Sequence, residues 1–128
     1  MDPTALGFLM AESRRVPMHV GGLQLYKKPP DAGRNYVREL FEFMRDTHDV
    51  APLFRKHPSR SVKTGGQYVW VEDDDFDIEY HVRHSALPKP GRVRELLELV
   101  SRLHSTRMAT ERPLWEWNVI EGLRDGRV

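Results

Sequence analysis

At 128 residues the chain is long enough for one ordinary domain with its own core. A hydrophobic content of 39% against 30% charged residues excludes a disordered polyelectrolyte, and a net charge of +1 gives no global attraction for nucleic acid. No cysteine is present, which excludes disulfides, thiolate metal sites and a cysteine nucleophile.

The first fifteen residues lack the basic start and small-residue cleavage site of a signal peptide. Leu6, Leu9 and Met10 instead have helical spacing. No apolar stretch approaches the roughly 20 residues of a membrane-spanning helix. The cytoplasm is the simplest compartment, with peripheral contact to a membrane left open. Beyond Pro17, Val20, Leu23 and Leu25 predict a strand over Met18–Tyr26 that contains the pair Gly21–Gly22. Glycine weakens a strand interior, so the pair marks a bulge or a close approach of ligand or backbone, the bulge being favoured. The turn-rich Lys27–Gly33 comes next, then an amphipathic helix with Tyr36, Val37, Leu40, Phe41 and Met44 on one face. Pro52 and Pro58 bracket a segment expected to be irregular.

Residues 61–73 predict a hairpin around Gly65-Gly66, with Tyr68 and Trp70 sharing a face. In Phe76–Leu87, Ile78, Tyr80 and Val82 alternate as in a strand. Pro88–Gly91 breaks the chain, and Arg92–Thr106 is the clearest helix. Its expected buried stripe is Val93, Leu96, Leu97, Val100 and Leu103, with Arg92, Glu95, Glu98 and Arg102 outward. Arg112–Leu123 reads as the last strand, with Trp115 and Trp117 on one face in core packing. Asp125-Gly126 then signals a hairpin turn, followed only by Arg127 and Val128. The mixed order of elements indicates an α+β layer arrangement.

Chemistry is sparse. His81 and His84 are three apart, so on a strand they point to opposite faces and cannot share a metal. His104, near the end of the long helix, suits the helix dipole better than general-base work. His48 and His57 fall in loop-like sequence. Glu72-Asp73-Asp74-Asp75 lacks the ligand spacing and central glycine of a calcium loop and reads as a solvated turn. No serine elbow, phosphate-binding glycine loop or nucleophile–base pair is visible. Spacing alone gives an α+β domain without a complete active site.

Three stretches in order carry a resemblance: FLMAESRRVPMHVGGLQLY, WVEDDDFDIEYHVRHSALPKPGRVRELLELVSRLHST and RPLWEWNVIEGLRDGR. The combination of P-M-H-V-G-G, L-P-x-P-G-R-x-R-E-L and R-P-L-W resembles the bacterial wax ester synthase/diacylglycerol acyltransferases over nearly the whole chain. The resemblance implies the N-terminal portion of a chloramphenicol acetyltransferase-like two-layer acyltransferase domain, incomplete at its C-terminus. Residues 1–128 would then be a partial domain, cut before the strand and loop that carry the family motif H-H-x-x-x-D-G. The second histidine of that motif is the general base for the acceptor hydroxyl, a task that suits the pKa of histidine. No adjacent histidine pair occurs in this chain, so no catalytic residue and no metal ligand is assigned within it.

The resemblance further implies transfer of fatty acyl groups from acyl-coenzyme A, a co-substrate rather than a cofactor, to diacylglycerol or a long-chain alcohol. Pro113, Leu114 and Trp115 match the family's P-L-W motif, and Gly21 and Gly22 match a glycine pair expected to line the acyl-chain pocket. These five are the expected substrate-binding residues. One departure stands out: relatives commonly carry an aspartate where this chain has Ala109, at a position expected to serve a turn or a polar contact. The expected partners are the substrates, the remainder of the same enzyme or another chain completing the sheet, and a membrane or lipid inclusion at the periphery. The alternative is a non-catalytic stand-alone domain for lipid binding or protein interaction. In either case the last strand, lacking its hairpin partner, is expected to leave an association-prone edge.

Overall fold

The computed structural model describes residues 1–47 and 49–128; the loop expected at His48 lies outside the described residues. Two units share the chain, each assembled from three separate stretches.

The first unit comprises residues 1–21, 49–76 and 105–115. Helix α1 (Pro3–Ala11) begins where the Asp2 carboxylate accepts the Ala5 N–H at 2.9 Å, with Pro3 in the first turn, where its missing N–H costs nothing. After the helix, the Glu12 carboxylate accepts Arg107 Nε at 2.9 Å and the Met18 N–H at 3.4 Å. The expected hairpin is present. Strand β1 (Lys56–Ser61) pairs antiparallel with β2 (Gln67–Glu72), in register from Lys56 opposite Glu72 to Ser61 opposite Gln67. A 3-10 turn (Val62–Thr64) leads into Gly65 and Gly66, whose φ values of 68° and 85° explain the glycine pair.

Two sequence expectations change in this unit. Pro52 opens a 3-10 turn, and Pro58 lies buried inside β1 opposite Trp70, so the segment between them is ordered. Among the described residues β1 pairs on one side only, which is where a strand tolerates a proline. His57 is consequently on a strand and not in a loop. The acidic run turns the chain out of β2: Asp73 Oδ1 accepts the Asp75 N–H at 3.1 Å, and the Asp73 N–H donates to Arg55 O at 2.8 Å.

The second unit comprises the described residues of 22–48, 77–104 and 116–128. Helix α2 (Tyr36–Arg45) follows its periodicity, with Val37 buried, Tyr36, Leu40, Phe41 and Met44 half-buried, and Phe43 exposed. The strand expected from Ile78 is divided. The Asp77 carboxylate accepts the Glu79 N–H at 3.0 Å and caps a single turn, α3 (Ile78–His81), before β3 (Val82–Ala86) begins. Strand β4 (Trp117–Glu121) is shorter than expected and pairs parallel with β3, from Val82 opposite Trp117 to Ala86 opposite Glu121. A parallel pair needs a crossover, and α4 (Val93–His104) supplies it. The architecture is α+β.

Helix α4 is rotated from its expected facing. Leu96, 2% exposed, packs with Leu87 and Leu123, and Leu99, Val100 and Ile120 close around them. Val93 and Leu97 are half exposed, so the true stripe is 96, 99, 100 and 103. The Glu95 side chain is only 11% exposed because it folds back on its own helix start. There it accepts the Arg92 N–H at 2.7 Å and the Arg92 guanidinium at 2.6 Å, as in a capping box. The Arg92 guanidinium holds the Glu95 carboxyl at about 2. Gly91 (φ 72°) and Gly122 (φ 96°) make a close backbone crossing: a Cβ on Gly91 would lie 1.9 Å from Gly122 O. Arg124 N–H donates to Gly91 O and Leu87 N–H to Glu121 O, each at 2.8 Å.

The turn signalled by Asp125-Gly126 forms. Gly126 N–H donates to Leu123 O at 2.9 Å, and the Asp125 carboxylate accepts both the N–H and the Nε of Arg127. The chain does not return along β4. Val128 meets Tyr26 instead, each N–H donating to the other's carbonyl. The strand expected over Met18–Tyr26 is absent as regular structure, and neither Gly21 nor Gly22 has a positive φ. A strand exists through its ladder, and in this stretch Tyr26 exchanges backbone hydrogen bonds with Val128.

Candidate substrate-side site

Pro113, Leu114 and Trp115 sit together in the first unit at a tight turn, with Trp115 N–H donating to Pro113 O at 3.0 Å. Pro113 is buried, while Leu114 and Trp115 are half-buried. The Trp115 indole N–H donates to Phe54 O at 2.8 Å, which fixes the ring against the 3-10 turn. Phe54 meets it edge-on with centroids 5.9 Å apart, and Phe76 lies stacked at 6.4 Å. The Arg55 guanidinium covers the Phe76 ring at 5.2 Å, and its buried Nε makes no hydrogen bond among the described residues. The result is an aromatic shelf with a cation at one end. Such a surface holds apolar material, and it has no group placed to move a proton.

The shelf corrects the expected pairing of the two tryptophans. Trp115 precedes β4, so it does not alternate with Trp117 along a strand, and Trp117 is 57% exposed in the second unit. Ala109 stands where an aspartate was expected to serve a turn, and the turn closes through the backbone, Arg112 N–H donating to Ala109 O at 3.2 Å.

Gly21 ends the first unit and Gly22 opens the second. Both are exposed, and a Cβ added at Gly22 would meet nothing within 4 Å. The expected bulge is therefore not present; the pair lies on open chain.

The histidines occupy ordinary structural places. His81 is fully buried at the end of α3, and His84 is on β3, so helix and strand separate the two. His84 stacks on Phe41 at 5.2 Å, with its Nε2 3.4 Å from Glu121 Oε1, which links β3 to β4. Sequence reading did not single out this pair; a histidine and a glutamate 37 positions apart carry no local signal. Among the described residues no group of three or more histidines and carboxylates could hold a metal ion, and no helix is long and apolar enough to cross a membrane.

The family model for the wax ester synthase/diacylglycerol acyltransferase catalytic domain matches residues 1–128. The chain belongs to this family. A Mycobacterium tuberculosis H37Rv protein, whose name marks it as a candidate diacylglycerol O-acyltransferase, is 55% identical over 99% of the chain and 28% of its own length. The O-acyltransferase WSD of Acinetobacter baylyi is 40% identical over 99% of the chain and 26% of its length. Among solved structures, the wax ester synthase/diacylglycerol acyltransferase of Marinobacter aquaeolei VT8 superposes with a TM-score of 0.91 at 48% identity, over 98% of this chain and 30% of that one. The chain spans less than a third of the length of these relatives, and the extent of the match agrees with an N-terminal portion of the fold.

Proposed function

We propose that the chain works as part of an O-acyltransferase that moves fatty acyl groups from acyl-coenzyme A to diacylglycerol or a long-chain alcohol. The observation that carries this reading is the family match across all 128 residues, supported by relatives named for that chemistry. In this reading the chain supplies scaffold and substrate wall, and the general base is a histidine outside it. The aromatic shelf of Phe54, Phe76 and Trp115 supports a role in holding apolar substrate, and Gly21 and Gly22 leave the room that a methylene chain requires. Acyl-coenzyme A is a co-substrate and no further cofactor is needed. The partners are the two substrates, the rest of the acyltransferase, and a lipid surface approached from the cytoplasmic side.

The test is acyl transfer from palmitoyl-coenzyme A to hexadecanol and to dipalmitoylglycerol, with the 128-residue chain and with a longer protein containing it. The longer protein is expected to turn over and the short chain to be inert. Turnover by the short chain would refute the placement of the base, and an inactive but folded longer protein would refute the acyltransferase reading. Gly22→Val in the active protein is expected to shift preference toward shorter acyl groups; an unchanged acyl-length profile would remove Gly22 from the pocket wall.

A further inference from the structure

Helix α1 (Pro3–Ala11) has no charged side chain on any face, and none of its residues is buried. A helix that is apolar all round is ordinarily enclosed. Ala5, Leu6 and Leu9 are half-buried along one side, whereas Thr4, Gly7, Phe8, Met10 and Ala11 are exposed. Phe8 is 47% and Met10 73% exposed. Helices α2 and α4 show what a water-facing side looks like in this chain. Each carries an ion pair one turn apart, Arg38 with Glu42 and Arg94 with Glu98, at 2.9 Å. The exposed face of α1 has nothing of that kind.

The chain leaves α1 through a tight turn. Ser13 N–H donates to Val16 O at 3.0 Å, and Val16 N–H to Ser13 O at 3.1 Å. Arg14 and Arg15 form the tip of this turn, both exposed, and among the described residues neither has an acid partner. The acid nearest to them in sequence, Glu12, is withdrawn: its side chain is 9% exposed and accepts Arg107 Nε at 2.9 Å. Val16, 54% exposed, adds an apolar side chain next to the cations. An uncharged apolar face thus ends in two cations that no protein carboxylate neutralises.

We propose that α1 and the Arg14–Arg15 turn form a contact with an anionic lipid surface. This deepens the reading above and rests on it, because diacylglycerol and long-chain alcohols reside in such a surface. Nine residues make a helix about 14 Å long, too short to span a bilayer, so α1 lies in the interface. Phe8 and Met10 enter the apolar layer, and the two guanidiniums meet headgroup phosphates. Charge selects this occupant. A second copy docked by two-fold symmetry would bring a like pair of arginines against these two, which repulsion opposes.

The test is co-sedimentation of the 128-residue chain with vesicles of phosphatidylcholine alone and with equal parts of phosphatidylglycerol. Binding to the neutral vesicles is expected to be about thirtyfold weaker than to the anionic ones. Arg14→Gln with Arg15→Gln should bring anionic binding down to the neutral level, and Met10→Gln should weaken it roughly tenfold. All three side chains are exposed, so an unchanged thermal melt separates lost docking from lost folding. No binding to either vesicle, equal binding to both, or full binding by the double arginine variant would overturn the proposal. Oxidation of Met10 by hydrogen peroxide, read by mass spectrometry on a longer protein containing the chain, identifies what covers the helix. It is expected to be fast without vesicles and to slow roughly tenfold with anionic ones. A Met10 already slow without vesicles would assign the face to the rest of the enzyme. Slowing that grows with protein concentration would assign it to a second copy. Either result would overturn the proposed occupant. None of these readouts involves acyl transfer, so failure here and failure of the acyltransferase reading are separable.

Discussion

Strand β4 and the stretch Gly22–Tyr26 belong to the same unit and look alike as sequence, since each alternates apolar residues across a short run. Only β4 is a strand. It has β3 beside it in a five-residue parallel register, α2 against it, and Val119 buried within it. Among the described residues, the backbone of Gly22–Tyr26 has one partner, Val128, and the stretch has no buried residue. The difference shows that alternation states which face a strand would present, while pairing decides whether the strand exists.

The paired region can be broken, and the largest effect should come from Gly91→Ala. Its Cβ would meet the Gly122 carbonyl at a left-handed φ, so a loss of roughly 4 kcal/mol or failure to fold is expected in urea denaturation. Next comes Leu96→Ala, expected to cost roughly 3 kcal/mol by emptying the centre of the cluster with Leu87 and Leu123. Trp115→Phe keeps a ring on the aromatic shelf but removes the donor to Phe54 O, for roughly 1 kcal/mol.

Glu95 gives a pH signature to α4, the helix that carries Leu96 into the core cluster. Its carboxyl titrates at about 2 when folded, below the ordinary value of roughly 4.3, so its stabilisation is present above the ordinary value. That stabilisation is lost as pH falls through about 2. Glu95→Gln should therefore flatten the acid-side decline in melting temperature between about pH 5 and 2. At the other extreme, Gly22→Val on the open stretch should change stability by less than roughly 0.5 kcal/mol, since nothing lies within 4 Å of the new Cβ. A large loss there would mean that the stretch is already packed, and the contrast with β4 would fail.

Much of the fold was legible where local signals are strong. Helices α2 and α4 carry 3.6-residue periodicity over ten or more positions, α1 shows only the spacing of Leu6, Leu9 and Met10, and Gly65-Gly66 can hardly be read except as a turn. The errors have physical causes. Pro52 and Pro58 predict an irregular segment between them because an edge position, where a strand tolerates proline, cannot be seen before the sheet is known. The single turn α3 is too short for periodicity, and its signal was the cap Asp77. The facing of α4 was off because Leu97 and Leu99 are equally apolar, and packing against Leu87 and Leu123 chooses between them. In the site, Pro113–Trp115 was legible as a motif, but its partners Phe54 and Phe76 lie 61 and 39 residues earlier and share no pattern with it. Gly91 and Gly122 were passed over because each looks like an ordinary loop glycine until their backbones meet.

The ion pair between Glu12 and Arg107 spans 95 positions of chain. During synthesis at about 5–20 residues per second, Glu12 leaves the ribosome roughly 5–20 s before its cation does. Over that interval the hairpin β1–β2, whose turn is local, can already close, whereas α1 has to wait for the stretch that anchors it. Helix α1 is made well before the stretch that secures it, so a chaperone that binds nascent chains would find its substrate there.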